Sequence, residues 1–198
     1  GCGKTHLALE AAARLGGQFS RGVHFVPLSA VTSAEGIVAA IAQAVELPFY
    51  GGGGAGQAAS PRRQLLDYLR GKQMLLVLDT CEHLLADMGL ATEILQAAPG
   101  VKILATTRAR LSLQGEQLYP LAGLALTPHP SPAGRGEGGE GESPAVQLFL
   151  ASAQRARPGY APGGEDLASI AQICRQVEGL PLAILLAASW MSTLSTPE

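Results

Sequence analysis

The sequence contains no asparagine and only three lysines, Lys4, Lys72 and Lys102, in 198 residues. Without asparagine there is no N-K-x-D guanine-specificity element, which excludes a GTPase. Charge is sparse as well: 15% of residues are charged, 14 basic against 16 acidic, for a net charge of −2. No Lys/Arg block occurs, and displacing counterions from nucleic acid or anionic lipid needs a dense basic patch, so this segment is expected to bind neither directly. Three cysteines (Cys2, Cys81, Cys174) lie far apart with no C-x-x-C pair, so neither a disulfide framework nor a zinc site is indicated. His6, His24, His83 and His129 share no metal-ligand spacing. The longest mostly apolar stretch, Leu180 to Trp190, is too short to cross a bilayer and contains Pro181. It is expected to form a buried helix with Trp190 in the core. No basic n-region precedes an apolar h-region at the start, so no signal peptide is visible and a reducing cytoplasm is the expected location. The first residue is not Met, and the opening residues look like the inside of a motif, which suggests a fragment.

What the sequence does contain is 47% hydrophobic residues, enough at this length for one compact domain, or one with a small appendage. A helix is expected from Thr5 to Arg14, with Leu7, Ala8, Ala11, Ala12 and Leu15 at helical spacing and Gly16-Gly17 as the stop. Val23 to Val26, ended by Pro27, reads as a strand. Thr32 and Glu35 have capping-box spacing for a helix running to Leu47. Gly51 to Gly56 reads as a flexible loop, and Ser60-Pro61 as the cap and first residue of a helix through Arg70. Met74 to Leu78 is an unbroken apolar run ending at Asp79, the pattern of a strand covered on both faces in a parallel sheet. A helix over Leu84 to Ala98 and a strand over Val101 to Thr106 follow, giving the order of an α/β parallel sheet. From Thr127 to Pro144 the composition turns to Pro, Gly, Ser and Glu, which predicts a disordered connector. Helices are expected at Ala145 to Arg157, Glu165 to Val177 and Leu180 to Leu194.

Chemistry concentrates in three places. Gly1-Cys2-Gly3-Lys4-Thr5 supplies the last five positions of G-x-x-x-x-G-K-[ST], the phosphate-binding loop, directly ahead of a helix. Glycines let backbone N–H groups face phosphates, the helix N-terminus adds positive potential, Lys4 reaches the terminal phosphates and the Thr5 hydroxyl suits Mg²⁺. A solvated lysine in a small-residue turn is the alternative. Asp79 ends an apolar strand at the edge where ligands bind in open α/β sheets, a position for holding Mg²⁺ opposite Thr5 or simply for closing a turn. Thr106-Thr107-Arg108 follows another strand, where an arginine contacts a γ-phosphate or stands in solvent, and Thr106 or Thr107 orients water or phosphate. Cys81, Glu82 and His83 read as local helix-start chemistry, and Arg62-Arg63 as a solvated helix face.

Together with Glu178-Gly179-Leu180-Pro181-Leu182-Ala183, these segments resemble the STAND class of P-loop ATPases, most of all the NB-ARC-like modules of large bacterial transcriptional regulators and signalling proteins. The likeness covers nearly the whole chain: Walker A at Gly1 to Thr5, Walker B at Leu75 to Leu84, the sensor at Thr106 to Arg108 and GLPL at Gly179 to Leu182. It implies an α/β P-loop NTPase core over 1–126, the connector over 127–144 and a small all-helical subdomain over 145–198. It also implies that the central strand of the parallel sheet, the one before the loop, is missing from these residues. That strand would lie between the Arg108 strand and another near Gln117 to Pro120.

The same resemblance implies ATP/ADP and Mg²⁺ as cofactors. Lys4, Asp79, Glu82 and Arg108 would be catalytic. Gly1, Cys2, Gly3, Lys4, Thr5, His6, Thr107, Arg108 and Pro181 would contact nucleotide, and Thr5 and Asp79 would hold the metal. Thr80 stands where many relatives carry a second acidic residue or Asn, and Thr is a poor general base; Glu82 is the nearest other carboxylate, so hydrolysis is expected to be slow or absent. The expected function is an ATP/ADP switch in a multidomain bacterial regulator, self-associating or acting on sensor and output domains outside this chain. A non-hydrolysing nucleotide clamp and a truncated remnant are the alternatives. A small-molecule P-loop kinase would leave GLPL unexplained, and no L-S-G-G-Q signature of ABC transporters is present.

Overall fold

The structure, a computed structural model, describes residues 1–49, 59–127 and 143–192. The Gly51–Gly56 loop, connector residues 128–142 and Leu194 lie outside them. The chain divides into two compact units, Lys4–Tyr119 and Gly1–Gly3 with Pro120 onward.

The first unit is α/β. It runs α1 (Lys4–Leu15), β1 (Val23–Pro27), α2 (Ala34–Ala44), α3 (Pro61–Leu69), β2 (Met74–Asp79), α4 (Gly89–Ala97) and β3 (Val101–Ala105). Among the described residues the sheet is three-stranded and parallel, in the order β1-β2-β3. Phe25 and Leu104 both pair with Val77 of the central strand. Residues 74–78 are all buried, which explains their unbroken apolar run: alternate side chains enter different layers. Leu76 and Leu78 join the larger core with Ile37, Ile41, Leu65, Leu69 and Ile94, while Leu75 and Val77 pack with Ala8 and Ala12 of α1. Two alanines four residues apart give α1 a small-residue stripe that can lie close to the sheet. Burying each large aliphatic side chain contributes roughly 1.5–3 kcal/mol.

Local chemistry sets most boundaries. Ser60 Oγ accepts from the Arg63 N–H at 3.4 Å with Pro61 in the first turn, as expected. At α2 the cap is Ser33 rather than Thr32: its Oγ accepts from the Gly36 N–H at 3.2 Å. The helix stops at Ala44 instead of Leu47 because Glu46 turns left-handed (φ 56°), letting the Leu47 N–H reach the Ala42 carbonyl at 2.8 Å. The helix expected over Leu84 to Ala98 is divided into a short 3-10 turn, Leu85–Asp87, and α4. No strand forms near Gln117 to Pro120, and Tyr119 is exposed. A strand exists only through its ladder partner, and among the described residues no strand pairs with this segment.

The second unit contains α5 (Pro144–Ala156), α6 (Gly164–Gln176) and α7 (Pro181–Ser189), then a 3-10 turn, Trp190–Ser192. Ser143 and Pro144 cap and open α5, Ser143 Oγ accepting from the Val146 N–H at 3.4 Å. Phe149, Ile170, Cys174, Ile184 and Ala188 form the core. The buried-helix expectation for Leu180 to Trp190 is incorrect. Within α7 only Ile184 and Ala188 are buried, Leu186 is 58% exposed, and Trp190, expected in the core, is 62% exposed. Ile184 and Ala188, an i,i+4 pair, face the bundle with Ala187 partly buried beside them, while Leu182, Leu185 and Leu186 are exposed on the other sides.

The Gly-Leu-Pro-Leu segment is shaped by a backbone crossing. Glu178 and Gly179 are both left-handed (φ 52° and 66°), and the Gly179 carbonyl accepts from the Leu124 N–H at 2.7 Å. A Cβ on Gly179 would collide with the Leu124 carbonyl oxygen, so glycine is required for both conformation and space.

Candidate functional site

In a parallel sheet every strand ends at the same edge, and here that edge carries a polar cluster centred on Asp79, the last residue of β2. Asp79 Oδ1 accepts two short hydrogen bonds, from Thr5 Oγ1 at 2.7 Å and from Thr106 Oγ1 at 2.6 Å. Its Oδ2 accepts from Thr80 Oγ1 at 3.3 Å. Thr5 comes from the first turn of α1 and Thr106 from the residue after β3, so three segments far apart in sequence place hydroxyls on one carboxylate. The backbone reinforces the cluster: the Thr106 N–H donates to the Leu78 carbonyl at 2.9 Å, and the Cys81 N–H to the Thr106 carbonyl at 3.0 Å.

Thr80 has φ 67°, a genuine outlier for a β-branched residue, and its N–H donates to Thr106 Oγ1 at 2.9 Å. Cys81 is buried directly behind the cluster. Burial first, then the Asp79 and Glu82 carboxylates, push its thiol up to about 12. It is therefore a structural thiol, remote from ionisation at neutral pH.

The other expected site residues divide into groups. Gly3 (φ 87°) makes the left-handed turn immediately before α1 opens at Lys4, a conformation glycine adopts without strain. Lys4 and Thr5 are half-buried, Cys2 is half-buried and His6 is exposed. In the other unit the Gly1 carbonyl accepts from the Leu182 N–H at 3.3 Å, one residue beyond Pro181, so Gly1 meets the start of α7. Glu82 and Arg108 find each other, Nε to Oε1 at 3.1 Å, with the arginine side chain 79% exposed. Thr107 closes its own turn, Oγ1 donating to the Ala109 carbonyl at 2.8 Å. His83 Nε2 lies 2.7 Å from the Val31 carbonyl oxygen.

Thr5 and Asp79 are thus brought together, while Glu82, Thr107 and Arg108 are engaged elsewhere. The residue that sequence reasoning underweighted is Thr106. The Thr-Thr pair gave two candidates, and only the strand's end point distinguishes the one facing inward.

Among the described residues no group of three or more His, Cys, Asp or Glu side chains converges to hold a metal. Thr5 and Asp79 do supply the hard oxygen donors that Mg²⁺ takes. Two such ligands suit an ion that completes its octahedron with water and substrate phosphate, not a protein-only cage.

Fold and cluster define an α/β module with a polar carboxyl edge, followed by a helical unit. No protein-family model matches the chain. Over its whole length it is 34% identical, across 203 residues, to the "Putative HTH-type transcriptional regulator Rv0890c" of Mycobacterium tuberculosis, covering 20% of that protein. The "Putative HTH-type transcriptional regulator Mb0914c" of Mycobacterium bovis shows the same identity and coverage. A further M. tuberculosis relative, "Uncharacterized protein Rv0894", is 31% identical over 199 residues, with 45% of its length covered. The chain therefore spans about a fifth of the regulators' length and under half of the third relative's. Among the described residues no helix is long and apolar enough to cross a membrane.

Proposed function

We propose that this chain is a P-loop, STAND-type nucleotide-binding module of a multidomain transcriptional regulator, taking ATP or ADP with Mg²⁺. The observation that carries the reading is the 2.7 Å hydrogen bond between Thr5 Oγ1 and Asp79 Oδ1. It joins the first turn of a helix opening from Gly-Lys-Thr to the carboxylate ending a central parallel strand. Phosphate would lie against the N–H groups at the start of α1, with Lys4 supplying the cation that faces it. Thr5 and Asp79 would hold Mg²⁺, whose chemistry is to neutralise charge between phosphate oxygens. The similarity to proteins named as transcriptional regulators supports the regulatory context.

The non-hydrolysing clamp is favoured by one specific observation. Glu82, the nearest other carboxylate in sequence, is paired with Arg108, and the Thr80 hydroxyl is a poor general base. The module is then a switch that holds nucleotide far longer than it turns nucleotide over.

Isothermal titration of the protein with ATP and with ADP, in Mg²⁺ and in EDTA, tests the reading. Saturable binding, strengthened by Mg²⁺ and lost in Lys4→Ala and Asp79→Ala, is expected. Absence of binding by folded protein would overturn it. Phosphate release measured on the same samples separates slow ATPase from clamp.

A further inference from the structure

We propose that Thr106 is a positioning residue: its buried hydroxyl fixes the Asp79 carboxylate for a divalent cation while holding the left-handed Thr80 in place. The cation role rests on the nucleotide reading above; the action on Asp79 does not.

Thr106 is only 6% exposed, and its one hydroxyl works in both directions. It donates its single proton to Asp79 Oδ1 at 2.6 Å and accepts from the Thr80 N–H at 2.9 Å. A proton so committed is not available to orient water or phosphate, which separates Thr106 from the sensor role that its sequence neighbours suggest. Its backbone is held on both sides, N–H to the Leu78 carbonyl and carbonyl to the Cys81 N–H. The hydroxyl therefore has little freedom, and β-branching narrows it further.

Two consequences follow for Asp79. The carboxylate is gripped at Oδ1 by two donors, while Oδ2, with one 3.3 Å contact, retains accepting capacity. Thr5 differs from Thr106 because it is half-buried and on a helix start: it can keep donating to Asp79 while a lone pair binds metal. Thr106 stays as the fixed support. Partners that orient a ligating carboxylate typically change metal affinity 10–100-fold when removed.

The test compares wild type, Thr106→Val and Thr106→Ser for ATP affinity in Mg²⁺ and in EDTA, taking the ratio of the two. Thr106→Val is expected to lose about tenfold in that ratio with its EDTA affinity unchanged, and Thr106→Ser to restore it. A Thr106→Val ratio equal to wild type would overturn the proposal. If Thr106→Val does not fold, Thr106→Ala takes its place in the same comparison. If wild type binds no ATP under either condition, the nucleotide reading fails. A double-mutant cycle of urea unfolding with Thr106→Val and Asp79→Ala then decides the remaining part. A coupling of about tenfold in the unfolding constant supports the action on Asp79, and additivity overturns it.

Discussion

Alkaline pH should weaken the α/β unit through a single thiol. Cys81 is fully buried, with Sγ donating to the Leu78 carbonyl at 3.5 Å. Burial, followed by the neighbouring Asp79 and Glu82 carboxylates, pushes the thiol from its ordinary 9.0 up to about 12. Above pH 9 the unfolded chain releases this proton while the folded chain keeps it. The contribution is therefore fully present below the unfolded value and is lost as pH rises toward the folded one. The slope approaches about 1.36 kcal/mol per pH unit, giving a loss on the order of 1 kcal/mol at pH 10 that grows further by pH 11. Cys81→Ala carries a fixed cost at every pH and deletes the dependence. Urea unfolding followed by far-ultraviolet circular dichroism at about pH 8 and pH 10 should show wild type losing on the order of 1 kcal/mol more than the variant. Cys174, whose thiol burial pushes up to about 11, is present in both proteins and cancels in the comparison. Equal losses in the two proteins would mean that Cys81 ionises as easily folded as unfolded, and the reasoning would be wrong.

Gly179→Ala should cost at least about 2 kcal/mol in thermal melts, because a left-handed alanine adds strain to the collision with the Leu124 carbonyl. Ser33→Ala should cost about 1 kcal/mol and Thr32→Ala less than about 0.5 kcal/mol in urea unfolding, since Ser33 makes the cap. Phe149→Ala should remove about 3–5 kcal/mol from the helical unit, read by differential scanning calorimetry. The fluorescence of Trp190 should be readily quenched by acrylamide; protection from quencher would contradict its exposure.

Elements whose signals are local were legible in the sequence. Met74 to Asp79 could be read as a doubly covered strand because its apolar run is unbroken, and α3 because a serine cap and an N-terminal proline act within one turn. Thr5 and Asp79 are each picked out by a separate rule, one for loops ahead of helices and one for strand ends, as sitting on opposite sides of a metal ion; the direct hydrogen bond between them is seen only in the structure. What failed depended on distant partners. Trp190 and the leucines of α7 have core composition, but how much of a helix a three-helix core covers is decided by its neighbours. Thr32 and Ser33 are both good caps, and only the phase of α2 against the sheet selects the second. The Glu82–Arg108 pair joins residues in different loops, a proximity that neither loop encodes alone.

The three hydroxyls on Asp79 make that carboxylate a fastener between stretches of chain 74 and 27 residues away. Removing that carboxylate would leave the first turn of α1, the residue after β2 and the residue after β3 without their shared acceptor.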